Sequence, residues 1–117
     1  MISPYTYKAK VLSVYDGDTI RAEIDLGFGL KWSGDGKGVQ IRLHGINSPE
    51  MRGNEKNSGV LSRDWLRKEI GGKDIILKTI KDSTEKYGRY LGVIFTIEGK
   101  NINESLLSEG LAIKKEY

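Results

Sequence analysis

The stretch Ile41-Arg42-Leu43-His44-Gly45-Ile46-Asn47-Ser48-Pro49-Glu50 offers a guanidinium, an amide oxygen, a hydroxyl and a carboxylate within a few residues of one another. Arg42 lies in a run of strand character, which can hold its side chain rigidly. Gly45 frees the backbone to turn, and Pro49 fixes its own φ just ahead of Glu50. A loop stiffened in this way can keep Asn47 and Glu50 in a set geometry. Such a set suits phosphate chemistry: a cationic fork for the phosphate, oxygen ligands for a hard metal, and a carboxylate near an attacking water. A second candidate cluster is Asp16-Gly17-Asp18-Thr19. An isolated Asp-Gly-Asp is most often only turn chemistry, but two carboxylates at a hairpin tip also supply oxygen ligands to a cation such as Ca²⁺.

These groups need elements to position them. Residues 6–14 are rich in β formers, and Ile20-Arg21-Ala22-Glu23-Ile24 alternates apolar and polar, so the Asp-Gly turn joins two strands. Residues 25–38 hold Gly27, Gly29, Gly34, Gly36 and Gly38 with Phe28, Leu30 and Trp32. This reads as a long excursion whose apolar residues pack it back on the body and whose tip is mobile. Residues 39–43 return to strand periodicity. Residues 58–70 read as a helix with Leu61, Trp65, Leu66 and Ile70 on its apolar face, ended by Gly71-Gly72. Short strands follow over 73–80 and 89–98, the latter with Leu91, Val93 and Phe95 on one face, separated by a polar loop over 81–88. Asn103 is placed to cap a two-turn helix with Leu106 and Leu107 inward and Gly110 at its end. Short strands with one long helix predict a mainly β (α+β) chain: a small closed barrel of the OB type, with the helix plugging one end.

Composition sets the outer bounds. At 117 residues the chain is one domain. A net charge of +3 leans towards a polyanionic partner without requiring one. There is no cysteine, so no disulfide framework and no thiolate metal site. No apolar run approaches the roughly 20 residues needed to span a membrane, and the first residues lack a signal-peptide pattern. The chain as given therefore reads as a cytoplasmic monomer, or as a secreted one if cut from a longer precursor.

Four pieces occur in order: Asp16-Gly17-Asp18-Thr19; Arg42-Leu43-x-Gly45-Ile46-Asn47-Ser48-Pro49-Glu50; Lys86-Tyr87-Gly88-Arg89; and Asn103-Glu104-x-Leu106-x-x-x-Gly110-Leu111-Ala112. Together they resemble the staphylococcal nuclease-like (thermonuclease) family across nearly the whole chain. The resemblance implies a five-stranded OB-fold barrel with one long and one short helix, and Ca²⁺-dependent cleavage of phosphodiester bonds in DNA and RNA. It implies Asp18 as a metal ligand with the Thr19 carbonyl beside it, and Asp16 acting through the metal's water. It implies Arg42 and Arg89 as grips on the scissile phosphate, and Glu50 as the group that orients or deprotonates the attacking water. Lys86 and Tyr87 would contact a neighbouring phosphate.

Three features depart from the family pattern. Position 47 is asparagine where the best-known members place a second aspartate on the metal. An amide oxygen still suits Ca²⁺ but brings no charge, so weaker binding is expected. The excursion over 25–38 is long, and the family's last helix is missing, leaving Glu116 and Tyr117 near the position of a base-stacking tyrosine. His44 shares a strand face with Arg42, but the chemistry needs no histidine, and a barrel or surface role fits it better. The reading is a nuclease with little sequence specificity. Its rival is a non-catalytic nucleic-acid-binding barrel whose metal site is weakened by Asn47, and a protein-interaction barrel stands third.

Overall fold

The computed structural model describes residues 4–84 and 89–115, with backbone alone for 81–84. The elements run β1 (Thr6–Asp16), β2 (Thr19–Gly27), β3 (Leu30–Trp32), β4 (Val39–Leu43), β5 (Ile46–Asn47), a 3₁₀ turn (Gly53–Glu55), α1 (Lys56–Ile70), β6 (Asp74–Thr84), β7 (Tyr90–Thr96), α2 (Ile102–Ser108) and β8 (Ile113–Lys114). Strands β1, β6, β7, β4 and β2 pair in that order, and β2 pairs back to β1. This closes a barrel of mixed direction, because β4 and β7 run parallel while the other neighbours are antiparallel. The five-stranded OB-like barrel with one long and one short helix is thus present. No described helix is long and apolar enough to cross a membrane.

The barrel fills from alternating positions. Val11, Ile20, Ala22, Ile41, Leu43, Ile75, Leu77 and Ile94 point inward, and Leu66 and Ile70 of α1 close the core with them. The inward face of α1 carries the expected Trp65, Leu66 and Ile70 but not Leu61. Gly59, Ser62, Leu66 and Ile70 are buried, Trp65 is half-buried and Leu61 is exposed. Close approach sets this phase. A Cβ on Gly59 would lie 2.3 Å from the Glu50 carbonyl oxygen, and Ser62 Oγ donates to the Leu111 carbonyl. Small residues must face those backbones, which turns Leu61 outward.

On strand β7, Leu91, Val93 and Phe95 share one face as expected; that face is half-buried, and Gly92 and Ile94 face the core. A Cβ at Gly92 would meet Leu77 and Ile41 side chains at 2.6 and 3.1 Å, so only glycine fits beneath them. Strand β6 runs on to Thr84, past the start of the loop expected over 81–88.

The excursion over 25–38 is a hairpin. β3 pairs with β2 through Ile24 with Trp32, Asp25 with Lys31 and Gly27 with Leu30. Its turn is Gly27-Phe28-Gly29, all at positive φ. Leu26, Phe28 and Leu30 are exposed, Phe28 completely, while Trp32, partly exposed, packs back on the body against the Tyr90 ring of β7. The tip of the excursion over 33–38 forms a hydrogen-bonded turn, in which the Gly36 and Gly38 amides both donate to the Ser33 carbonyl.

The cap of α2 also differs. Asn101 is the N-cap, its side chain accepting from the Glu104 amide at 3.0 Å. Asn103 is buried instead. Its Oδ1 accepts from the Ile94 amide, and its Nδ2 donates to the His44 and Gly92 carbonyls at 2.9 and 3.1 Å. The side chain therefore ties α2, β7 and the turn after β4 together. Asn103→Ala leaves these buried groups unpaired and is expected to cost about 2–4 kcal/mol in urea unfolding.

Candidate active site

The turn between β1 and β2 fixes the carboxylates. Gly17 is buried there, and a Cβ on it would lie 2.7 and 2.8 Å from the Cβ atoms of Ser48 and Ser62. This contact presses the Asp16–Asp18 turn against both the loop after β5 and α1. Asp16 Oδ1 accepts the Asp18 amide at 3.1 Å. Asp18 is buried and accepts from Thr19 Oγ1 and the Ser48 amide, each at 3.0 Å, with Arg42 Nη1 3.6 Å from its Oδ2.

Arg42 is supplied by β4, paired with Thr19 across the barrel wall. It too is buried, donating from Nη1 to the Leu43 carbonyl at 2.9 Å and from Nη2 to Asn47 Oδ1. Gly45, at φ 83°, makes the reversal from β4 to β5 that brings Asn47 back to Arg42. Arg89, just before β7, donates from Nη1 to Thr19 Oγ1 at 3.1 Å. Glu50 is exposed, its amide donating to Glu55 Oε1 at 3.2 Å.

Asp16, Asp18, Arg42, Asn47, Glu50 and Arg89 all line one open cavity of about 530 Å³. Thr19 lies behind Asp18 and Arg89. Lys86 and Tyr87, with Glu116 and Tyr117, lie outside the described residues. His44 does not line the cavity; its backbone is held by Gly92 and Asn103. From sequence Ser48 counts only as a hydroxyl without a role, and neither Glu55 nor the segment Gly110–Ile113 as a wall is singled out. The wall forms because β8 pairs with β5. Only the Leu111–Ser62 contact and this short pairing reveal it, and neither has a sequence signal.

The electrostatics are those of a strained acidic pair beside an arginine. Burial pushes the Asp16 carboxyl up to about 6, helped by its hydrogen bond with Asp18 and by that residue's charge. Burial alone would also raise Asp18. Hydrogen bonds from Asp16, the Ser48 amide and Thr19, with the Arg42 charge, outweigh it and hold Asp18 below its ordinary value. Asp16 thus holds its proton more tightly folded than unfolded, so the folded state loses stability as pH rises from about 4 to about 6. Asp16→Asn removes that loss. In chelator, its urea midpoint should exceed that of the parent above pH 6, and the gain should vanish near pH 3.

The donor set suits a hard cation. It is all oxygen, and a cation would relieve the crowding of the two carboxylates. Among the described residues no three acidic, histidine or cysteine side chains converge. Neutral oxygens would have to complete the shell beside Asp16 and Asp18.

Residues 40–117 match the family described as staphylococcal nuclease homologue. An uncharacterized endonuclease of Escherichia coli is 29% identical over 103 residues, covering 88% of this chain and 58% of that protein. Uncharacterized protein MJ1439 of Methanocaldococcus jannaschii is 31% identical over 130 residues, covering 91% and 58%. Endonuclease YhcR of Bacillus subtilis is 30% identical over 115 residues, covering 91% of this chain and 9% of that protein. The chain therefore spans little more than half the length of the first two relatives.

Proposed function

Because this chain belongs to the staphylococcal nuclease homologues, we propose that it is a Ca²⁺-dependent nuclease hydrolysing phosphodiester bonds in DNA, RNA or both. The observation that carries this reading is the shared cavity: two guanidiniums, two carboxylates and Glu50 open onto one space.

Asp18 and Asp16 would hold the cation, with the Thr19 carbonyl and the Asn47 amide oxygen as neutral donors. A bound Ca²⁺ would polarise a phosphoryl oxygen and lower the pKa of a bound water. Arg42 and Arg89 grip the phosphate and neutralise charge that builds on its oxygens in the transition state. Buttressing by Asp18, Asn47 and the Leu43 carbonyl keeps Arg42 from rearranging as that charge grows. Glu50, exposed on the cavity wall, takes the proton of the attacking water. None of the described lining residues is a base-reading group in this scheme, so cleavage is proposed to have little sequence preference.

The test is cleavage of single-stranded DNA with millimolar Ca²⁺ against chelator, with Glu50→Ala alongside. Cleavage that needs Ca²⁺ and collapses in the variant supports the enzyme. Salt-sensitive binding without cleavage supports the rival binding module.

One observation favours that rival: Asn47 Oδ1 is engaged by Arg42. Asn47→Asp adds a charged ligand there. It should tighten Ca²⁺ binding about tenfold, read by isothermal titration calorimetry. Cleavage that appears only in this variant would establish the parent as a binder.

A further inference from the structure

The hairpin over 25–38 supplies a feature that the proposed chemistry does not use. A second, apolar groove of about 270 Å³ opens at the barrel mouth. Ile24, Ile41 and Leu77 form its floor, and Tyr7, Trp32 and Tyr90 stand on its rim. Trp32, from the hairpin, meets Tyr90 edge to face, with ring centroids 5.8 Å apart and planes at 78°. Such a pair occupies the edge of one ring and a single face of the other, leaving flat surface for a further partner. Trp32 keeps 42% of its surface open and Tyr90 39%.

Nearness to the phosphate site identifies the partner: the two openings share no described lining residue and lie on opposite faces of β4 and β7, one residue apart along each strand. Arg89 lines the catalytic cavity and the next residue, Tyr90, lines the groove. The same division occurs on β4, where Arg42 lines the cavity and Ile41 the groove. Ile41 and Arg42 pair in register with Tyr90 and Leu91. Along β2, Thr19 holds Arg89 and Ile24 pairs with Trp32. Five residues of strand separate them, roughly 17 Å. A strand of a few nucleotides covers that distance, and OB folds accommodate about 4–16.

The lining chemistry agrees. Among the described residues no charged side chain lines the groove, so it suits flat neutral rings and not phosphate. Bases within a duplex are already stacked on one another, which leaves unpaired bases as the matching ligand.

We propose that this groove stacks the unpaired bases of a single-stranded nucleic acid whose phosphate lies in the Arg42–Arg89 cavity. The proposal rests on the nuclease reading for the phosphate end, but its test does not need cleavage. Binding is measured in chelator by the anisotropy of labelled oligothymidylate of about ten nucleotides, beside an abasic phosphodiester of equal length. Trp32→Leu and Tyr90→Leu should each weaken oligothymidylate binding about tenfold, while Trp32→Phe stays within about twofold of the parent. The abasic strand should bind the parent and both leucine variants alike.

Equal affinity of the parent for abasic and thymidine strands would overturn the proposal. So would Trp32→Phe binding as weakly as Trp32→Leu, because apolar area and not stacking would then matter. Self-association in sedimentation that Trp32→Leu abolishes would assign the groove to a second copy of this chain instead. Should Ca²⁺-dependent cleavage be absent while the stacking pattern holds, the nuclease reading fails and the groove stands.

Discussion

Arg42→Lys is expected to lower kcat for single-stranded DNA about 10²–10³-fold while the protein stays folded. Lysine keeps the charge but loses the planar fork. Arg42 places one nitrogen near both Asp18 and the Leu43 carbonyl and the other on Asn47. A single ammonium cannot keep all three contacts and also reach a phosphate. Arg42→Ala is a poorer probe, because Asp18 and Asn47 are left facing a buried gap, and unpaired buried charge destabilises by about 3–5 kcal/mol. With lysine, the loss should fall on kcat more than on binding, since Arg89, the second proposed grip, keeps its place on Thr19. If kcat changes less than about threefold, Arg42 is a structural brace for the Asp18 turn and the proposed grip is wrong. The ratio of cleavage to anisotropy-measured binding separates these outcomes.

What the sequence made legible follows from how local each signal is. The Asp16–Thr19 hairpin is specified by adjacent residues, and strand β4 by its own alternation, so both stand where expected. The closure of the barrel required four separated motifs to be taken together, because β4 and β7 pair across more than forty residues of chain. The errors lie where tertiary contact overrides local pattern. Leu61 fits an amphipathic stripe as well as Ser62 does, and only the approach of α1 to two backbones decides between them. Asn103 has the residue type of a cap but sits two positions past the true one, Asn101, where burial gives its amide three partners. The hairpin over 25–38 was hidden by its glycines, which suggest a loose loop but in fact supply the turns of an extended pair. The candidate site was legible as residue types. That Asn47 would be held by Arg42, and Glu50 set beside Glu55, depends on side-chain reach across the fold and leaves no trace in spacing.

Gly59→Ala is the second change with a large expected effect, and it acts from outside the cavity. The added Cβ would lie 2.3 Å from the Glu50 carbonyl oxygen, 2.8 Å from its carbon and 3.0 Å from the Pro49 oxygen. These are backbone atoms, so no side chain can rotate away. The helix or the Pro49–Glu50 loop must shift by roughly an ångström. Alanine favours a helix over glycine by about 1 kcal/mol, yet overpacking of this kind costs about 1–3 kcal/mol, so net stability should fall only modestly. The loop is the weaker of the two bodies: α1 is anchored by Leu66 and Ile70 in the core, whereas Glu50 is exposed. The displacement should therefore fall on the proposed base, and a misplacement of this size costs about 10²-fold in kcat. Affinity for single-stranded DNA should change little, because neither arginine moves. The decisive comparison is made in a Glu50→Ala background. If Gly59 acts by placing Glu50, the second substitution should cost almost nothing further in kcat. A full additional 10²-fold loss would show that Gly59 supports the site by another route, such as the Gly17–Ser62 contact on the same helix.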